Sequence, residues 1–353
     1  MDTGKYRTIV TTQLPRLKCA AHGVVTISPL WADRSARMTY EFEALVIDLL
    51  RESTISSVCR LLQMSWPAVA GIMDRAVARG LDRRKEQPAA HICVDETSYK
   101  KGHKYITVVS DSQTGTVLFV KEKRTHASLD AYYEGCSAEQ LEAIESVSMD
   151  MWPAYIKSTK KHVPDAESKI SFDRFHVAKK IGGAVNDVRK QEHRELRKVG
   201  NDDLTGTKYD WLTNKQNMSV RQKKRFKALK NSSLKTARAW AIKELSQKLW
   251  HYKSRTWARK AWEKWLSWAS CCRLEAMVKV AKTVRKHLCG ILNAIVLKAS
   301  NGPAESINSR IKTIKVRCRG FRNTKRLANA IYFYLGGLDL YPDAVSKTRV
   351  SLN

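Results

Sequence analysis

The sequence has 353 residues, 64 Lys and Arg against 34 Asp and Glu, and a net charge of +30. The length leaves room for about two domains at ~150 residues each. That surplus of positive charge asks for a polyanionic partner, of which nucleic acid is the commonest. A membrane is excluded: the longest apolar stretch, Leu288–Leu297, is broken by Gly290 and Asn293 and falls short of the ~20 residues that span a bilayer. No basic amphipathic helix is paired with a lipid-anchor motif. The start, MDTGKYRTIV, has no apolar core of a secretory signal. The eight cysteines are scattered, apart from the adjacent Cys271 and Cys272, and read as reduced thiols of a cytoplasmic protein.

Residues 1–38 read as an irregular arm. Cys19 and His22 form half of a possible zinc knuckle, but a closed structural site needs four ligands and no second pair lies nearby, so zinc is not expected. Residues 39–87 read as a helix-turn-helix unit. Phe42, Leu45, Val46, Leu49 and Leu50 repeat at helical spacing, a second helix fits Ile55–Leu62, and Ser65 caps a third that carries Pro67 early and runs to about Arg79. Two short helices joined at Gln63-Met64-Ser65 match a DNA-binding pair, with Ser65 and Arg75 offered to DNA. Arg79–Gln87 is a charged linker.

Residues 88–175 change period. His91–Asp95, Tyr105–Asp111 and Gly115–Glu122 are short Val-, Ile-, Thr- and Phe-rich runs separated by turns at Lys101-Gly102 and Ser112–Gly115, which makes a three-strand meander. A helix over Leu129–Ile144, a strand Val147–Met149, a helix Pro153–Lys161 and a strand Ile170–Phe172 complete a mixed α/β sheet. Residues 176–299 carry 30 Lys and Arg against nine Asp and Glu, with seven of the ten Trp. They read as an all-helical insertion that could stand as a separate subdomain. Most of those Trp belong to its core, with one left for a flipped base. The run Arg221–Lys227 puts Lys223, Lys224 and Arg225 forward as phosphate contacts. Residues 300–353 read as helix Pro303–Lys315, an irregular Arg-rich segment, and helix Asn323–Leu335 stopped by Gly336-Gly337.

Three carboxylates carry the chemistry. Asp95 closes the first strand and Asp150 the fourth, and strand ends are where ligand-binding groups gather in α/β sheets. Glu305, Asn308 and Lys312 fall at i, i+3 and i+7 on one helix face, while Ile307 and Ile311 face elsewhere. That face offers a metal ligand, an amide and a cation for phosphate, with Lys315 beyond. Any one acidic residue alone is surface charge. Two strand ends and a helix together suit a pair of Mg²⁺ or Mn²⁺ ions of the kind that drive in-line phosphoryl transfer. Asn301 and Asn308 are placed to orient Glu305 or to hold the scissile backbone. Glu96, pointing to the other side of the strand, reads as structural.

Val94-Asp95-Glu96-Thr97-Ser98 with Lys101-Gly102-His103-Lys104-Tyr105, then Ser148–Tyr155, Asp173-Arg174-Phe175-His176-Val177 and Asn301–Lys312 resemble, in that order, the blocks of the ISL3 family of insertion-sequence transposases. The resemblance covers about residues 14–340. It implies a ribonuclease H-like core of the Asp-Asp-Glu type, an insertion between the second Asp and the Glu, and Asp173 and His176 lining the site. It also implies a zinc module ahead of the helix-turn-helix, of which this chain keeps Cys19 and His22. The partner implied is double-stranded DNA, both element ends and target, bound by a homo-oligomer. A DNA-binding repressor derived from a transposase and a nuclease of RNA–DNA hybrids remain open as alternatives.

Overall fold

The computed structural model describes residues 8–27, 29–32, 37–84, 88–100, 102, 104–213, 217–230, 234–343 and 345, with only the backbone of 225, 228 and 230. The N-terminal arm is not wholly irregular. Strands β1 (Arg16–Cys19) and β2 (Gly23–Thr26) pair antiparallel around a turn in which Gly23 stands at φ 69°. Both strands are four residues long and largely exposed, so no buried face imposes an alternation that the sequence could display.

Helices α1 (Tyr40–Glu52), α2 (Ile55–Leu62) and α3 (Trp66–Asp82) follow. Thr39, Thr54 and Ser65 cap them, each side chain accepting a backbone N–H from Phe42, Ser57 and Ala68 respectively. Gln63, left-handed at φ 50°, makes the turn between α2 and α3. Val46, Ile47, Leu50, Val58, Ile72 and Val77 pack against Phe333, Leu338 and Leu340, so this unit completes its core with the C-terminal end of the chain.

The sheet has five strands in the order β5-β4-β3-β6-β7: β3 (His91–Lys100), β4 (Lys104–Asp111), β5 (Val117–Glu122), β6 (Ser146–Met149) and β7 (Ile170–Phe172). The meander is antiparallel, and β6 and β7 join β3 in parallel. This is the mixed α/β, ribonuclease H-like arrangement that the sequence leads one to expect. Two boundaries differ. The first strand does not stop at Asp95 but continues to Lys100, because its outer half stays paired with β4 after β6 has ended. The helix expected over 129–144 is two helices, α4 (His126–Tyr133) and α5 (Ala138–Glu142), since Ser137 and Gln140 form a capping box that starts a new helix. Helices α6 (Pro153–His162) and α7 (Ala166–Lys169) lie between β6 and β7.

The basic region is helical: α8 (Arg174–Lys198), α9 (Lys208–Leu212), α10 (Val220–Lys230), α11 (Lys235–Lys248), α12 (Arg255–Cys271), α13 (Glu275–Lys286) and α14 (Leu288–Val296). Trp211, Trp262 and Trp265 are fully buried, and Trp240 and Trp250 pack against them. Trp257 and Trp268 remain exposed, at 63% and 40%. These helices and the sheet form one continuous apolar cluster, so the insertion has no core of its own. Helix α14 lies directly on β7: a Cβ at Gly290 would come within 2.5 Å of the Phe172 ring. The Asn293 amide donates to the carbonyls of Glu167 and Ile170 at 2.8 and 2.7 Å. Helices α15 (Gly302–Arg317) and α16 (Thr324–Leu335) close the fold. Ile307, Ile311 and Ile314 of α15 pack on Ile106 and Val108 of β4 with Leu327 and Ile331 of α16. No helix among the described residues is long and apolar enough to cross a membrane.

Candidate catalytic centre

The parallel register pairs Val94 with Met149, so the next residues along the two strands, Asp95 and Asp150, emerge side by side at the end of β6. Asp95 accepts the Glu96 N–H at 2.8 Å on one oxygen and the Asn308 amide at 2.8 Å on the other. Helix α15 is thereby tied to the central strand. Asp150 accepts the Met151 N–H at 2.7 Å and lies 3.2 Å from Nδ1 of His176. His176 belongs to the first turn of α8, which Asp173 caps by accepting the Phe175 N–H at 3.0 Å. The other oxygen of Asp173 accepts the backbone N–H of Asn301 at 3.2 Å, and the Asn301 carbonyl accepts the N–H of Glu305 at 3.0 Å.

Pairwise contacts link the seven residues singled out from the sequence as ligands or their supports: Asp95 with Asn308, Asp150 with His176, and Asp173 with Asn301 at the start of the helix of Glu305. The tightest grouping of ligand atoms differs from the expected set. Among the described residues, Asp173, His176 and Glu305 present ligand atoms within 4.8 Å of one another, and His176 links that trio to Asp150. Glu305 is exposed and Asp173 buried.

Electrostatics mark the two strand carboxylates as unlike. Burial pushes the Asp95 carboxyl up to about 6, and the neighbouring charges of Glu96 and Asp150 add to the rise against the Glu96 N–H and His176. Burial acts upward on Asp150 too, but the hydrogen bond and charge of His176, the Met151 N–H and Lys180 outweigh it, so that carboxyl titrates below its ordinary range. His176 is held above the usual histidine value by its hydrogen bond to Asp150, against the effect of burial.

The donor set fits hard divalent cations such as Mg²⁺ or Mn²⁺, since carboxylate and amide oxygens dominate it. Unsatisfied buried groups point the same way. Asn301 is fully buried, yet its amide oxygen has no partner among the described residues, and neither has Oδ1 of Asn308. Such groups are costly unless something occupies the space they face.

The remaining candidates lie outside this cluster. Ser65 spends its hydroxyl on the cap of α3. Arg75, half exposed, is ion-paired at 3.1 Å with the buried Glu43, which Arg79 also holds at 3.0 Å. Lys223 and Lys224 are exposed on α10, whereas the side chain of Arg225 lies outside the described residues, as do Lys101 and His103. Lys312 is exposed on the face of α15 that carries Glu305, and Lys315 donates to the Ser98 carbonyl at 2.5 Å.

Sequence reasoning missed Arg124. It pairs with Glu96 at 2.7 Å and lies over the rings of Tyr105 and Trp152 at 4.8 and 4.2 Å, which supports the strand beside Asp95. It stands in a Lys-rich surface tract, and nothing in its neighbours distinguishes it. His287 was missed as well: it packs edge-on against Phe172 at 5.2 Å, and burial keeps it below the usual histidine value.

Comparison with known proteins bears on the whole chain. A transposase family profile matches residues 92–331, and the helix-turn-helix domain of transposase family ISL3 matches residues 27–77. The transposase for insertion sequence element IS1001 of Bordetella parapertussis is 28% identical over 336 residues, covering 94% of this chain and 80% of that protein. The transposase for insertion sequence element IS1557 of Mycobacterium tuberculosis is 25% identical over 362 residues, covering 96% of this chain and 81% of that protein. With its strand order, its carboxylate cluster and these matches, the chain belongs to the ISL3 family of transposases.

Proposed function

We propose that this transposase binds the terminal inverted repeats of its own insertion sequence, cuts there, and joins the freed ends to target DNA. Asp95, Asp150 and Glu305 would hold two Mg²⁺ or Mn²⁺ ions, with Asp173 within reach as a further ligand. Bound ions would activate the attacking oxygen and offset charge on the leaving oxygen of an in-line displacement. The protein's own share is positional. Asn308 fixes the plane of the Asp95 carboxylate, and Asp173 holds the start of α15 through the Asn301 N–H, so Glu305 arrives on a helix anchored at both neighbours. His176, kept protonated to higher pH by Asp150, sets a positive charge beside the carboxylates. In the first step a water oxygen attacks phosphorus and the 3′-oxygen leaves as a hydroxyl. In the second, that hydroxyl attacks a target phosphate and the target strand's 3′-oxygen leaves as a hydroxyl, so no covalent enzyme intermediate forms. The helix-turn-helix and the basic helices supply most of the DNA affinity through phosphate contacts. Bringing two ends together calls for a homo-oligomer on DNA, acting in the bacterial cytoplasm.

The observation that carries this reading is the 2.8 Å bond from Asn308 to Asp95, which joins the helix of Glu305 to the strand that lies beside Asp150. The test is strand transfer with duplexes carrying the element's own ends. Wild-type protein is expected to nick and join them with Mg²⁺ or Mn²⁺. Asp150→Asn should bind the same duplexes and do neither. Full activity of that variant would refute the assignment. Binding without nicking by the wild type would leave a repressor.

A further inference from the structure

Between Glu305 and Asp339 the chain carries eight Lys and Arg and no carboxylate. The first of these continue the face of α15 that bears the active-site groups. Glu305, Asn308, Lys312 and Lys315 fall at i, i+3, i+7 and i+10, one stripe of a helix, and Arg319 follows just past its end. Beyond it, Arg317, Arg319, Arg322, Lys325 and Arg326 are all exposed on the connection from α15 to α16.

The backbone of this connection is pinned at several points. Phe321 packs into the apolar cluster that includes Tyr99 of β3. The Lys100 ammonium donates to the Arg322 carbonyl at 2.9 Å. Thr324 donates to the Glu122 carboxylate, and the Asn323 side chain caps Lys325. On its other flank the connection meets the helix-turn-helix. Arg317 donates to the Glu52 carbonyl at the end of α1. The Arg326 guanidinium lies over the ring of Trp66, in the first turn of α3, at 4.4 Å. The charged ends of Arg319, Arg322 and Lys325 make no hydrogen bond or ion pair among the described residues. Arg319 also stands at φ 55°, a conformation that a glycine or asparagine adopts with less strain. A rigid backbone, three uncommitted cations and a strained arginine describe a surface kept for an outside anion.

We infer that the connection between α15 and α16 is a phosphate-binding surface that carries duplex DNA from the helix-turn-helix to the carboxylate centre. It rests on the reading of the chain as an enzyme that binds DNA and cuts it. The twelve residues from Glu305 to the end of α15 at Arg317, at 1.5 Å each, set the surface ~18 Å from Glu305 along α15. That span corresponds to ~5 base pairs of duplex. Arg319, Arg322 and Lys325 therefore contact phosphates between the cleaved end and the sequence read by α3.

The full-length protein is titrated against two duplexes in EDTA over a range of NaCl: the element's own end, and a random sequence of equal length. For the triple variant Arg319→Gln, Arg322→Gln, Lys325→Gln, three lost phosphate contacts should lower the slope of log K against log [salt] by about 2.7 and weaken binding about tenfold or more near 0.1 M salt. The change in slope is expected on both duplexes, so the surface is tested whether or not the ends are specifically recognised. The Lys variants Arg319→Lys and Arg322→Lys should keep the wild-type slope, and the melting temperature of the triple variant should stay unchanged. A triple variant with wild-type slope on both duplexes overturns the inference. A wild type that binds DNA but never nicks its ends counts instead against the proposed function.

Discussion

Burial makes the ionised form of Asp95 unfavourable, and replacing it should strengthen the metal-free protein while abolishing activity. A carboxyl titrating at about 6 rather than 3.8 corresponds to about 3 kcal/mol of disfavour for the ionised form in the folded state. Because the folded value lies above the unfolded one, the stabilisation from the protonated carboxyl is fully present below about pH 3.8 and is lost as pH rises through about 6. Asp95→Asn removes that loss. It also gives up one of the two hydrogen bonds Asp95 accepts, because an amide offers a single acceptor oxygen, at about 1 kcal/mol. At pH 8 in EDTA the variant should then be roughly 1–2 kcal/mol more stable, a rise of about 1–3 °C in Tm. Near pH 4 both side chains are largely neutral, and the order should reverse by about 1 kcal/mol. Adding Mg²⁺ at pH 8 should stabilise the wild type through ligand linkage and leave the variant unmoved. Differential scanning calorimetry at the two pH values, with and without Mg²⁺, reads all of this. A variant less stable than wild type at pH 8 in EDTA would refute the view of Asp95 as a carboxylate held ready for cations.

Three further expectations concern single side chains. Asn308→Ala should weaken divalent-cation binding or nicking about 10–100-fold by freeing the Asp95 carboxylate, with DNA affinity in EDTA unchanged; calorimetric titration with Mn²⁺ and gel shift separate the two. Gly290→Ala should lower stability by roughly 1–3 kcal/mol, since the new methyl would sit 2.5 Å from Phe172 with little room to yield; thermal melting checks this. Trp262→Ala should cost about 3–5 kcal/mol in urea denaturation, whereas Trp257→Ala, on the exposed face of the same helix, should stay within about 0.5 kcal/mol of wild type.

Much of the fold is legible because its signals are local. Thr39, Thr54 and Ser65 announce their helices, and the β-rich runs of the meander are set apart by turns that Gly102 and Gly115 mark. The candidate site was legible for a different reason. Asp95 and Asp150 end short apolar runs and Glu305 lies three residues before Asn308 on a helix, whereas Asp173 and His176 stand out only through the resemblance to the family. What the sequence hides is long-range. Nothing near Phe333, Leu338 and Leu340 says that they complete the core of the N-terminal helices. Arg124 becomes a support of the strand beside Asp95 only once Tyr105, Trp152 and Glu96 surround it. Likewise, the stretch 129–144 carries a continuous helical pattern, and only the reciprocal bonds of Ser137 and Gln140 divide it.

The distance of 155 residues between Asp150 and Glu305 would make a shared site implausible if the insertion were a long arm. It is instead closed at its base. The chain leaves the sheet at Asp173, which caps α8, and returns at Asn301, whose N–H is bonded to the same Asp173 carboxylate. Just before the return, α14 is pressed onto β7 through Gly290 and held by the Asn293 amide on Ile170. Departure and return therefore coincide within one hydrogen bond, and both ends of the excursion carry site residues: His176 on the outgoing helix, Glu305 on the incoming one. Geometry at the base isolates the site from the length of the excursion. The outer helices α9 to α13 pack with α8 and α14 into the core shared with the sheet. The buried charges inside the insertion are also locally resolved, Glu192 by the backbone of Lys235 and Thr236, and Lys243 by the carbonyls of Trp211 and Leu212. The positions of Asp95, Asp150 and Glu305 are thus set by the sheet, by Asp173 and by Asn308, not by the length of the basic helical region.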